Sequence, residues 1–374
     1  MARAPAIQDA EPVPEIDRLE GIPHPRETTD LYGHEAAEAE LAAAIGSDRT
    51  HHAWLLAGPS GIGKATLAYR VAKFAFAADD ERDIFGTSLA VGAETIAARQ
   101  VRALSHPGLL LLRRSYNLKD KRFPASISVD EVRRLRSFLS MSAAAGSWRV
   151  VIVDSADELN INAANALLKS LEEPPRRTLF LLVTSEPGRL LATIRSRCRT
   201  LDMKRLGEAY LRRAVGQAIR SGGGVVTVPD EGAWPLLLRL ADGSVGRALS
   251  LTGVGGIDLY NEVFALVASL PTPRWPGVHK LADNLAAPAA EARFTLFFEL
   301  LLDLVARLVR AQATGAGEAR EIELAARLVG EARLASMAGL WETVAREKAE
   351  TVALNLDRKT LILKTVSRLE TATR

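Results

Sequence analysis

Residues 58–66, Gly-Pro-Ser-Gly-Ile-Gly-Lys-Ala-Thr, constrain the fold more than any other stretch of this chain. They follow a short apolar run at 52–57 and lead into a helical pattern over roughly 64–77. A buried parallel strand feeding a helix through a tight glycine turn has this form. Gly58, Gly61 and Gly63 let backbone N–H groups close around phosphate oxygens, and the Lys64 ammonium reaches the outer phosphates. Such a loop continues with Ser or Thr, whose hydroxyl binds Mg²⁺, but here that position is Ala65 and Thr66 comes one residue late. One residue along a helix turns a side chain by about 100°, so Thr66 does not replace the missing ligand. The loop suits phosphate and is poorly equipped for the metal that hydrolysis needs.

A chain of 374 residues exceeds one ordinary core and implies two or three domains. Its net charge is only +3, so any nucleic-acid contact must come from a local patch or a shared surface. One cysteine, Cys198, excludes an internal disulfide and a Cys-rich zinc site, and reads as a small buried thiol. The most apolar stretch, 294–309, is cut by Glu299, Asp303 and Arg307 and reads as a buried amphipathic helix, with no membrane span. The first thirty residues hold several prolines and acids and read as a loosely ordered lead-in. A cytoplasmic protein fits this composition.

Three further runs have buried-strand character: 108–112, 148–153 and 178–183. Helical patterns separate them. Ser128 and Glu131 form a capping box before Val129, Val132, Leu135 and Leu139 on one face. Asn162 can cap a helix that stops at Pro174 and Pro175. Strands alternating with helices at this spacing predict a parallel α/β sheet, with the glycine loop at a strand's C-terminal end. After about Arg205 nearly everything reads as helix, with a break at 221–224 and a linker at 253–256. The expected organisation is a lead-in over 1–30, an α/β domain over 31–205, a small helical domain over 206–255 and a helical domain over 256–374.

A second nucleotide signal is the apolar run 149–153 ending in Asp154, the arrangement in which a carboxylate holds Mg²⁺. Asp154 is alternatively a strand-end cap or a partner of Lys64. Ser155 stands where a water-orienting Glu usually follows, and Glu158 is four residues beyond Asp154. Losing a metal ligand and a water-orienting carboxylate costs on the order of 10²–10⁴ in rate apiece. His51 and His52, adjacent on a strand, point to opposite faces and make no shared metal site. Arg133, Arg134 and Arg136 form a solvated helix face or a DNA-facing one.

The run 165–175, Asn-Ala-Leu-Leu-Lys-Ser-Leu-Glu-Glu-Pro-Pro, then Thr184-Ser185, then Ser196-Arg197-Cys198, resembles the clamp-loader branch of the AAA+ ATPases serving bacterial DNA polymerase III. Gly33-His34 and His106-Pro107-Gly108 fit the same pattern. The resemblance is strongest over 31–205. It implies an AAA+ P-loop domain, a helical lid and an all-α C-terminal collar. It implies that Arg197 acts in trans on a neighbour's ATP, and that Thr184-Ser185 lies where a polar sensor of the γ-phosphate is expected. In the second-sensor segment Gly246 stands where active relatives place Arg, with Arg247 one position late. The stretch 78–105, where many relatives carry a four-cysteine zinc module, has no cysteine, so no zinc is expected. ATP or ADP is the implied ligand of Gly58, Gly61, Gly63, Lys64, Thr66, Asp154 and Thr184. The implied partners are clamp-loader ATPase subunits and a delta subunit in a hetero-pentamer, with a sliding clamp and primer–template DNA reached through the complex. The weakened loop favours a non-motor, stator-like role. A catalytically active loader ATPase and a nucleotide-binding scaffold outside replication are the alternatives.

Overall fold

The computed structural model describes residues 13–46, 51–82, 88–140, 147–253, 255–354 and 356–374. The chain forms two compact units, one ending at Leu249 and one starting at Ser250. The boundary falls inside the helix Val245–Gly253.

Among the described residues, five parallel strands make one sheet in the first unit. They are β1 (Ala53–Ala57), β2 (Leu109–Leu112), β3 (Arg149–Val153), β4 (Thr178–Thr184) and β5 (Arg199–Asp202), in the order β2-β3-β4-β1-β5. Side chains alternate across a strand, and here both faces are covered. Trp54 and Leu56 of β1 join Val150, Ile152, Leu179 and Leu181 in a core shared with the helices Glu35–Gly46 and Lys64–Phe76. Ala53, Leu55 and Ala57 join Val151, Val153, Phe180 and Leu182 in a second core, against the helices Val129–Ser140 and Ile161–Glu172. Each fully buried side chain of Leu size contributes about 1.5–3 kcal/mol, and two-sided burial explains why β1 to β4 read as continuous apolar runs.

Local signals act as read, with four differences. The Ile161–Glu172 helix is capped by Asn160, whose side chain accepts from Ala163 N at 2.9 Å, and not by Asn162. Ser128 Oγ accepts from Glu131 N at 3.4 Å, but Glu131 turns its carboxylate to Ser115 and Arg134, so only half of the capping box forms. β5 is the strand that periodicity does not predict: of Arg199, Thr200, Leu201 and Asp202 only Leu201 is buried. The segment 13–30, which composition marks as a lead-in, is packed from Ile22 through Arg26. There His24 is 1% exposed and pairs with Asp17 at 2.8 Å.

The second unit is helical. The helix Glu291–Thr314 buries Phe294, Phe297 and Phe298 and packs against the helices Gly256–Ala268, Ala319–Leu328 and Leu334–Leu354. Trp275–Ala286 and Arg358–Thr373 pack on one another beside it. No helix among the described residues is long and apolar enough to cross a membrane.

Candidate nucleotide-binding site

The glycine loop sits at the C-terminal end of β1, with Gly58, Gly61 and Gly63 all at positive φ. A Cβ on Gly58 would fall 2.2 Å from Met203 O, which closes that position to any other residue. His34, buried and held below its ordinary pKa by that burial, bonds Ile62 O through Nε2 at 2.8 Å and pins the loop from behind. The motif Gly33-His34 therefore braces the loop.

Lys64 is 4% exposed and its three protons are all engaged. Its Nζ donates to Gly58 O at 2.7 Å, to Pro59 O at 2.5 Å and to Ser185 Oγ at 3.1 Å. Burial pushes it down to about 8, against the opposing pull of Asp157 and Asp154. The Lys64 bonds go to the loop's own carbonyls and to Ser185, not to Asp154. Thr184 is fully buried at the end of β4, where its hydroxyl accepts from Glu186 N at 3.2 Å. Ser185, one residue on, is the hydroxyl that meets the lysine, and its N–H donates to Asp157 Oδ1 at 3.2 Å. Ala65 offers no oxygen at the metal position, and Thr66 follows it, half-buried.

Asp154 ends β3, its N–H bonded to Leu112 O at 2.9 Å. Burial first, then the charge of Asp17, raises its carboxyl to about 7, while Arg113 opposes the shift. Arg113 follows β2 and is itself gripped by Glu15 at 2.6 Å and Asp17 at 3.0 Å. Ser155 adopts a left-handed conformation with φ at +60°, uncommon for a residue with a side chain, and starts the 3₁₀ turn Ala156–Glu158. Glu158 is committed elsewhere: Arg114 holds both of its oxygens, at 2.7 and 2.5 Å.

The segment 244–246 lies on the loop. Ser244 Oγ donates to Ser60 O at 2.9 Å, and Gly246 N donates to Gly61 O at 2.9 Å. A Cβ on Gly246 would come 3.0 Å from Gly61 Cα, a tight contact that one of the two backbones would have to ease by a few tenths of an ångström. Metal–nucleotide fits this arrangement poorly. Phosphate would have to displace two carbonyls from Lys64, Ala65 brings no hydroxyl, and burial disfavours the charged form of Asp154 that Mg²⁺ needs. Among the described residues no group of three or more His, Cys, Asp or Glu side chains is arranged to hold a metal.

Arg197 lies elsewhere. It follows the short helix Ala192–Arg195 and precedes β5, whose Arg199 pairs with Trp54 while Asp202 pairs with Ala57 beside the loop. The strand alone spans about 10 Å, so Arg197 is at the end of the sheet away from its own loop. Its Nη1 donates to Thr193 O at 2.9 Å and its Nη2 to Glu172 Oε1 at 2.7 Å. Cys198 beside it is half-buried, and burial raises the thiol to about 11. Sequence reasoning missed Asp157 and Arg113 as neighbours of the site, whereas Ser185 was read with Thr184 as the sensor pair and Ser244 falls in the second-sensor segment without a role of its own.

The parallel sheet order, the glycine loop at the end of β1 and the lid segment laid on it define an AAA+ P-loop protein. Residues 33–207 match the family described as DNA polymerase III, delta subunit. The chain is 33% identical over 296 residues to DNA polymerase III subunit delta' of Pseudomonas aeruginosa, covering 76% of this chain and 79% of that one. It is 28% identical over 342 residues to DNA polymerase III subunit tau of Escherichia coli, covering 91% of this chain and 47% of tau, about half of that longer relative. A solved structure of a DNA polymerase III gamma subunit-related protein from Thermotoga maritima covers 90% of this chain and 99% of its own, at 15% identity and a TM-score of 0.40. The chain belongs to the delta-prime family of DNA polymerase III clamp-loader subunits.

Proposed function

We propose that this chain is a non-motor subunit of a cytoplasmic clamp loader. It joins clamp-loader ATPase subunits and a delta subunit in a hetero-pentamer that places a sliding clamp on primer–template DNA. Arg197 supplies a guanidinium to the ATP site of a neighbouring ATPase subunit, where its donors spread over the charge developing on the transferring phosphoryl group. The observation that carries this reading is strand register: Arg197 precedes the start of β5 while the chain's own loop follows the end of β1. An arginine out of reach of its own loop, part-exposed beside an exposed glutamate, suits a partner's site. The loop itself supports the non-motor half, with Lys64 tied to its own carbonyls, Ala65 and Ser155 at the hydrolytic positions and Gly246 in place of a sensor arginine. ATP or ADP binds this loop weakly and without turnover.

The second unit suits the collar role. Its last two long helices and the turn between them leave Trp341, Val352, Leu354 and Leu356 exposed, side chains that a neighbouring helical unit would cover. The decisive experiment is Arg197→Ala in a reconstituted loader. DNA-stimulated ATP hydrolysis and clamp loading are expected to fall, with assembly intact. Wild-type levels of both would overturn the trans role. Purified chain hydrolysing Mg²⁺-ATP at motor-subunit rates would favour the active-ATPase alternative.

A further inference from the structure

On the flank of the first unit a small cleft opens between the helix Lys64–Phe76, the segment 27–29 and residues 89–102. Lys73 lies nine residues along that helix from Lys64, about 13 Å away, so the cleft is separate from the glycine loop. Its polar lining is mostly cationic: Arg70, Lys73 and Arg102, with Glu27 as the one carboxylate. Both oxygens of Glu27 are already used, Oε1 by Arg18 at 2.8 Å and Oε2 by His24 N at 2.9 Å.

The cations are under-supplied with acceptors. Lys73 is 7% exposed, yet its ammonium makes one bond, to Thr28 O at 3.2 Å. Two of its protons therefore lack an acceptor among the described residues. Arg70 gives Nε to Glu38 at 2.6 Å and Nη1 to Thr29 O, and its Nη2 has no acceptor among the described residues. Arg102 lies at the exposed rim, where Glu94 at 3.8 Å is its side-chain partner among the described residues. Burial and then the charges of Arg70 and Arg102 push Lys73 down to about 8, a sign of crowded, uncompensated positive charge. Burying an ammonium with one hydrogen bond is costly, and an oxyanion supplies what is missing.

We propose that this cleft binds a phosphate-class oxyanion, with Lys73, Arg70 Nη2 and Arg102 as donors and Leu89 and Val91 as an apolar wall. The three cations line the same cleft, and the apolar wall would strengthen each charge-assisted bond by excluding water from one side.

Calorimetric titration of the full chain with inorganic phosphate, and separately with pyrophosphate, is expected to show saturable one-site binding at low salt. The glycine loop also attracts phosphate, so each titration is repeated on Lys64→Met and Lys73→Met. Binding that survives Lys64→Met and weakens at least about tenfold in Lys73→Met supports the site, as loss of a charge-assisted bond requires. Binding lost in Lys64→Met and kept in Lys73→Met, or no saturable binding at all, overturns it. Should Lys73→Met fail to fold, Arg102→Gln on the rim must weaken binding by about threefold or more, and an unchanged affinity overturns the site. Competition by a short single-stranded oligonucleotide separates the two sources. Displacement of phosphate assigns the site to a nucleic-acid backbone phosphate, and no displacement assigns it to a small free phosphate.

Discussion

At the C-terminal end of β1 the Lys64 ammonium is 4% exposed and bonded on every proton to its own chain. At the other end of the sheet the Arg197 side chain is 36% exposed and shares one terminal nitrogen with Glu172, itself 49% exposed. The first cation is built into the fold, and a ligand reaches it only by breaking bonds that burial has strengthened. The second is held by a surface ion pair of about 0–1 kcal/mol, which a better acceptor replaces at little cost. The two cations both sit in motifs and differ in how readily an outside acceptor could reach them.

The largest expected effect tests that contrast directly. Arg197→Ala should lower hydrolysis at the neighbouring subunit's site on the order of 10³-fold, read by DNA-stimulated phosphate release from the assembled loader. Lys64→Ala should lower it far less, and equal effects would erase the distinction. Next in size is Gly246→Arg. Its Cβ would crowd Gly61 Cα at 3.0 Å, so the variant should lose about 1–3 kcal/mol in urea denaturation. A variant as stable as the wild type would show that the helix does not rest on the loop.

Asp154 gives a pH-dependent effect of opposite sign. Its carboxyl is raised from 3.8 to about 7, so the fold favours the protonated form. Stability is then lost progressively as pH rises from about 4 through 7, and the full loss is reached above that range. Asp154→Asn should therefore be more stable than wild type by about 1–3 kcal/mol at pH 8, with the gap closing as pH falls toward 4. A pH-independent difference would count against burial as the cause. The smallest effect belongs to Glu172→Gln, which should change stability by less than about 1 kcal/mol and leave loader ATPase within about threefold. A larger fall in ATPase would make Glu172 a positioning residue for Arg197.

The sheet was legible where burial is two-sided. Residues in β1 to β4 meet apolar neighbours on both faces, so their sequences are unbroken apolar runs. β5 was not, because an edge strand with one buried residue carries no periodic signal. The glycine loop, Asp154 and Arg197 were visible because each belongs to a local motif. Arg113 and the contact of Ser244 with Ser60 were not, because they join parts of the chain distant in sequence. Gly246 read as a missing arginine, whereas its contact with Gly61 makes it a packing residue. The N-terminal segment shows the same limit. Its prolines and acids suggest a loose tail, but Glu15 and Asp17 find Arg26, Arg113 and His24 only in three dimensions.

Ser244 and Ser60 stand 184 residues apart in sequence, so their bond, together with that of Gly246 to Gly61, makes the turn before one helix part of the glycine loop's own frame. A ligand that reshapes the loop backbone would have to move that turn with it, and a substitution that shifts the turn would be felt at the loop.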